Sequence, residues 1–544
     1  MASQLLTSIG ACTIVVSAFI WLRRSSPSRI LGTLPGPRSL SWVYGNICSR
    51  CVEYWQTKFM SSSGNMLQLL CADSYGDDEF RWQQQYGAVY RVKGCFGEDR
   101  LVVSDPEALR NIINNPSFGY TPARWKIGNV TMTSDNVACV VGEEHRRIRA
   151  DMGPGFSAQG VRNFLPIFLD VANKMVNEWE ILCSPGSSTR LDVAKMMNHG
   201  TLDIICTAAL GLPVDSVQNP DHPLARTHLD ILGAAFVRDR AGIVAEFLTT
   251  YTPEFMLRLS LHLPIGPTRA LLTFKTTTNQ IMEQKTQEYK LNQSETNDLL
   301  STMSNIEVVA ASKKTGVTPA QVVHQIPLLL VAGQDTSANV LSWALLELAR
   351  HPDFQRSLRQ EILAHKRQGV EVKYDDMPLL NAVLKETLRL TPAGPILERM
   401  ATEDCVLPLS TEIKTSSGTH IRELPIRKGQ IIFLALAAYQ RQEPLWGSDA
   451  HEFKPSRWLE GDPCTGPALG PYAKLLSFLG GPRVCPGWRF ALLEMQVILT
   501  ELLAKFSVSL PENSVIRARL STVQFPVDNE GAKGLHLAVE RLAN

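Results

Sequence analysis

The chain has 544 residues, and its 44 % hydrophobic and 20 % charged content excludes a disordered polypeptide. Its 54 basic and 53 acidic side chains leave a formal charge of +1, so the composition holds neither a basic nucleic-acid-binding excess nor an acidic solvating tail. Eleven cysteines are too sparse, and odd in number, for a disulfide scaffold, which points to mostly reduced thiols.

The N-terminal segment Met1–Leu22 carries no Asp, Glu, Lys or Arg. As a helix, Leu5–Leu22 would span about 27 Å at about 1.5 Å per residue, close to a hydrocarbon core of about 30 Å. The segment lacks the basic start and small-residue cleavage site of a secretory signal, so a retained single-pass anchor over 1–22 is expected. Arg23, Arg24, Arg29, Arg38, Arg50 and Lys58 follow it against the single acid Glu53, which orients the remainder toward the cytosol, as in an endoplasmic reticulum protein. In that compartment the sequons at Asn129 and Asn292 are coincidental. Residues 23–45 form a basic linker whose Leu34-Pro35-Gly36-Pro37 run is a stiff elbow, and a single globular domain is expected over 46–544. Membrane lipid is therefore an expected partner, and nucleic acid is not.

Short β-type runs occur at Ala88–Val92, Arg100–Val103 and Pro425–Phe433, the last turning at Lys428-Gly429. Thr318-Pro319 opens a helical pattern that reaches Arg350 before His351-Pro352 stops it, and Pro327 should kink it. A second amphipathic helix covers Asp376–Leu390, and a third runs from about Gly487 to Phe506 before a loop-and-strand tail. The polar segments Ser61–Asp78, Leu291–Thr315 and Thr411–Thr419 are read as surface loops. The fold class is mainly α with a smaller β-rich portion. Two weaker motifs carry no function. Cys48 and Cys51 lack the further ligands zinc needs, and Gly153–Ala158 lacks the strand that a dinucleotide fingerprint requires.

The most informative stretch is Phe478-Leu479-Gly480-Gly481-Pro482-Arg483-Val484-Cys485-Pro486-Gly487, directly before a helix. With Pro486 at the first helical position, free amides at Gly487 and Trp488 would point at the Cys485 sulfur and favour its thiolate. Gly480, Gly481 and Gly487 leave room for a flat, bulky ligand, and Arg483 is placed to meet an anionic group on it.

This run resembles the haem-binding signature of the cytochrome P-450 monooxygenases at Phe478, Gly481, Arg483, Cys485 and Gly487. The resemblance extends from about Leu34 to the C-terminus and looks most like fungal microsomal members. It implies one large haem-thiolate fold behind the anchor, with haem b (iron protoporphyrin IX) held by Cys485 as axial iron ligand. It further implies NADPH–cytochrome reductase as electron donor and insertion of one oxygen atom into a hydrophobic small molecule, such as a terpenoid of a specialised-metabolite pathway.

The companion motifs stand in the family's order. Ala332-Gly333-Gln334-Asp335-Thr336 matches the oxygen-activating helix, where Gly333 would open a groove and Asp335 and Thr336 would deliver protons. Glu386 and Arg389, with Arg457 of Phe453–Trp458, match a structural ion network, although Ser456 stands where a Glu is common. Arg149 and Arg399 are expected on the haem propionates, with His145 where the family usually has Trp. Phe118–Trp125, the stretch 230–260, Ile396-Leu397 and Phe525-Pro526-Val527 are expected around the substrate. A haem-thiolate isomerase or dehydratase would need no proton relay. A non-catalytic haem sensor would fit the cysteine loop equally well.

Overall fold

The computed structural model describes residues 31–38, 65–227, 240–261, 266–290, 318–368, 372–529 and 531–542, and Leu299. The expected anchor, most of the linker, Cys48 and Cys51 lie outside these residues. No helix among the described residues is long and apolar enough to cross a membrane.

One sheet is built from β1 (Val89–Lys93), β2 (Asp99–Val103), β3 (Phe118–Gly119) and two later strands. The later strands are β4 (Ile396–Ala401) and β7 (Ile431–Ala435); between them, β5 (Cys405–Lys414) and β6 (His420–Ile426) form a separate hairpin. The five-stranded order is β1-β2-β7-β4-β3, antiparallel except for the β2–β7 pair. The expected hairpin across Pro425–Phe433 is thus corrected. Lys428-Gly429 does turn the chain, with Gly429 at φ 86°, but it passes from one sheet to another. Alternating exposure along β6 and full burial along β7 explain the split.

The helices that matter here are α1 (Pro122–Thr131), α2 (Gly142–Met152), α3 (Leu165–Leu182), α4 (Val193–Leu210), α5 (Ile326–Arg350), α6 (Pro378–Leu390) and α7 (Trp488–Lys505). Helix α5 is apolar on nearly every face, the pattern of a helix buried all round, and Leu330, Leu341, Leu345 and Leu348 are fully buried. Helix α7 is fixed from below by Phe490, whose ring meets Phe168 of α3 edge-on at 4.8 Å and Phe164 at 6.0 Å.

The kink expected at Pro327 is not found. The helical pattern from Thr318 breaks at His324-Gln325 instead, after a short helix closed by a Thr318–Gln321 capping box. Pro327 then falls in the first turn of α5, where its missing N–H costs no ladder bond.

Gly333 also has a different role from the one expected. A Cβ there would lie 2.6 Å from side-chain carbons of Ile205, so this glycine sets the close crossing of α5 over α4. Gly333→Ala should destabilise the protein by about 1–3 kcal/mol through overpacking. Urea unfolding checks this, and adding Ile205→Ala should restore part of the loss; a single variant as stable as wild type would refute the packing role.

Candidate active site

The cysteine loop folds back on itself through the Cys485 N–H, which donates to the Phe478 carbonyl at 2.9 Å. Gly480 and Gly481 serve this packing, because protein fills the space where each would carry a side chain. A Cβ at Gly480 would stand 2.1 Å from the Leu469 carbonyl oxygen. Gly481, at φ 62°, faces Asn114 and Ile113 within 3 Å. At Gly487 an added Cβ would meet the Phe156 ring at 3.5 Å, an ordinary van der Waals contact, so of the three glycines this one alone tolerates a side chain without a clash.

Gly487 is the N-cap of α7, so Pro486 lies one residue ahead of the cap and not at the first helical position. Burial raises the Cys485 thiol pKa, while a hydrogen bond from the Gly487 amide and the charge of Arg149 pull it down. Burial outweighs both neighbours, so the net shift is upward.

On α5, Thr336 Oγ1 donates to the Ala332 carbonyl at 2.8 Å. Ala332 is exposed, with Val331, Gly333 and Thr336 half-buried around it, which marks an opening beside this turn. Asp335 does not share that opening. Its buried carboxylate accepts from Asn339 Nδ2 at 3.0 Å and lies 3.8 Å from Lys533 Nζ. Burial raises its pKa, opposed by Lys533 and Asn339.

Arg399 on β4 is buried, with Nη1 donating to the Glu398 carbonyl at 2.8 Å. Arg483 donates to the carbonyls of Val137 at 3.0 Å and Val140 at 2.7 Å. Among the described residues, neither these two nor Arg149 and Arg124 form a salt bridge. The cost of that shows in the titration of Arg399, Arg149 and the nearby His145. Burial, Arg124 and Arg483 together push Arg399 down to about 10. Burial and then Arg483 lower Arg149, and burial with both arginines takes His145 down to about 4, so its ring is neutral at physiological pH. A cluster of arginines without a carboxylate is a site for anions.

The expected ion network is assembled in full. Arg389 donates to both oxygens of Glu386 at 2.8 Å, and Arg457 Nε donates to Glu386 Oε1 at 2.9 Å. The Lys454 amide and the Trp458 indole complete the carboxylate, each at 2.9 Å. Gln440, which sequence reasoning missed, joins this network to the cysteine loop. Its Nε2 donates to the Leu388 and Arg389 carbonyls, and its Oε1 accepts the Leu476 N–H at 2.7 Å. Nothing in the sequence marks Gln440 apart from other glutamines, since its role comes from the turn after β7.

The cytochrome P-450 family model matches residues 57–533. The chain belongs to the cytochrome P-450 family. Its relatives include cytochrome P-450 monooxygenase 91 of Postia placenta, 29 % identical with 98 % of each chain covered. Cytochrome P-450 monooxygenase 81 of the same fungus is 30 % identical over 96 % of this chain and 94 % of the relative. Cytochrome P-450 monooxygenase claO of Ampulloclitocybe clavipes is 29 % identical over 92 % of both.

Haem is the cofactor this family implies, and the residues present fit it. The arginine cluster suits a group that carries carboxylates, Cys485 supplies a thiol in the same loop as Arg483, and α5 is exposed at Ala332. Of the expected substrate-lining segments, Phe118 is buried in β3 pairing and Ile396 is buried in β4. Trp125 is exposed, and residues 230–239 lie outside the described part.

Proposed function

We propose that this chain is a haem-thiolate monooxygenase that inserts one oxygen atom of O2 into a hydrophobic small molecule. The observation that carries the reading is Cys485, which accepts from the Gly487 amide and shares its loop with Arg483, one of a cluster of arginines that form no salt bridge among the described residues. Cys485 would ligate the iron, Arg149, Arg399 and Arg483 would hold the propionates, and Phe478 and Gly487 would frame the ring. Haem, when bound, supplies oxygen activation, for which a thiolate ligand favours O–O cleavage.

The chain's own contribution is positional and protic. Thr336 Oγ holds a proton at the open face of α5, restrained by the Ala332 carbonyl. Asp335 and Lys533 stand on the adjoining face, where Lys533 reaches solvent and can refill the carboxylate's proton supply. Glu386, Arg389 and Arg457 act on structure alone.

NADPH–cytochrome reductase is the proposed electron donor. The uncharged segment 1–22 and the basic residues after it support a membrane anchor with the catalytic domain on the cytosolic face of the endoplasmic reticulum. An apolar specialised metabolite of terpenoid type is the proposed substrate, in keeping with the fungal monooxygenases among the relatives.

The test is the reduced carbon monoxide difference spectrum, followed by NADPH consumption with reductase and a panel of terpenoids. A red-shifted thiolate Soret band with substrate-dependent product supports the reading. A thiolate band with no NADPH turnover would indicate a sensor, and product without net oxidation an isomerase or dehydratase. Thr336→Ala should lower product formed per NADPH by about tenfold or more while NADPH oxidation continues. Unchanged coupling would remove Thr336 from the proton path.

A further inference from the structure

Tyr120 lies in the Phe118–Trp125 stretch expected around the substrate and in none of the haem motifs, yet three guanidinium groups gather on its ring. The carbons of Arg399, Arg483 and Arg124 stand 4.9, 5.3 and 5.8 Å from its centroid. They arrive from three separate parts of the fold. Arg399 is on β4, where Gly119 pairs with Met400, so the register places Tyr120 across from it. Arg124 is in the first turn of α1, four residues beyond Tyr120, and Arg483 belongs to the cysteine loop.

Like charges this close repel, and no salt bridge among the described residues relieves these three. The negative face of an aromatic ring attracts each guanidinium and resists their separation. Held in this way, the arginines need no rearrangement to receive an anion, which is the condition for tight binding.

We propose that Tyr120 is a positioning residue whose ring gathers Arg124, Arg399 and Arg483 into one preorganised site for the two carboxylates of haem. This assignment rests on the haem reading. It also adds Arg124, which the family motifs do not single out, to the anion site.

The experiment follows haem transfer from holoprotein to excess apomyoglobin, read by the Soret band, for wild type, Tyr120→Leu and Tyr120→Phe. Loss of the ring in Tyr120→Leu should speed haem release on the order of tenfold, while Tyr120→Phe stays within about twofold of wild type. The carbon monoxide spectrum should keep its thiolate band in both, since neither change touches Cys485. Tyr120→Leu releasing haem at the wild-type rate overturns the proposal. So does Tyr120→Phe releasing as fast as Tyr120→Leu, because the hydroxyl would then be the determinant.

If Tyr120→Leu yields no folded holoprotein, Arg124→Gln decides the matter. It alters an exposed side chain and should speed release about threefold. A wild-type rate there overturns the proposal. A wild-type chain that takes up no haem at all overturns the haem reading together with this one, whereas haem-loaded wild type with inert variants overturns this one alone.

Discussion

Cys485→Ser should abolish the red-shifted carbon monoxide band and all NADPH-dependent product formation, while unfolding stability without haem stays near wild type. The argument is one of local chemistry. Serine has nearly the same shape, so the Cys485 N–H bond to Phe478 and the Gly487 cap are retained. What is lost is a soft, polarisable sulfur ligand, whose anionic form burial opposes and the Gly487 amide and Arg149 support. Two other buried thiols, Cys206 and Cys95, lie outside the cysteine loop. Cys206 is fully buried, and both its burial and Asp203 push its pKa up. Cys95 is pushed up to about 11, chiefly by burial. A thiolate band that survives in Cys485→Ser would place the ligand elsewhere and dismantle the site as described.

The motif-bearing residues were legible because their chemistry is carried by contiguous runs. The cysteine loop, the Ala332–Thr336 turn and the Glu386–Arg389 spacing each lie within one segment, and Arg457 follows from Phe453–Trp458. Tyr120 and Gln440 were not legible. Each acts by joining segments far apart in the chain, Tyr120 through strand register and Gln440 through a turn facing two carbonyls of α6.

The glycines show the same limit from the other side. A glycine run before a cysteine reads as space for a ligand, but whether space is filled by ligand or by protein depends on tertiary neighbours. For Gly480 the neighbour is the Leu469 carbonyl, and for Gly333 it is Ile205. Pro327 was misread because periodicity alone does not register a one-turn break at His324-Gln325.

Glu386→Gln should cost about 3–5 kcal/mol of stability at neutral pH, because it leaves Arg389 buried without a counter-charge and Arg457 with Asp449 alone. Both oxygens of Glu386 are fully used, by two guanidiniums, an amide and an indole, so the amide nitrogen of Gln must face at least one donor. The damage should not stay local. Arg389 also donates to the Gln440 and Glu452 carbonyls at 3.0 Å, and Gln440 holds the Leu476 amide that leads into the cysteine loop. Haem should therefore be lost along with stability, although Glu386 lies outside the anion site.

The pH dependence gives a second reading of the same network. Burial alone would raise the Glu386 pKa, but Arg389, the Lys454 amide and Arg457 outweigh it and hold the carboxyl below its usual range. A depressed carboxyl contributes stability that is fully present above the ordinary glutamate value of about 4.3 and is lost as pH falls through the folded-state value. Wild type should thus lose stability progressively below that range, and Glu386→Gln should lack this part of the acid loss because its penalty is already present at pH 7. Unfolding curves at pH 7 and in mild acid test both statements. Equal stability of the two proteins at pH 7 would show that the arginines find other partners, and the network would then not be what holds the cysteine loop.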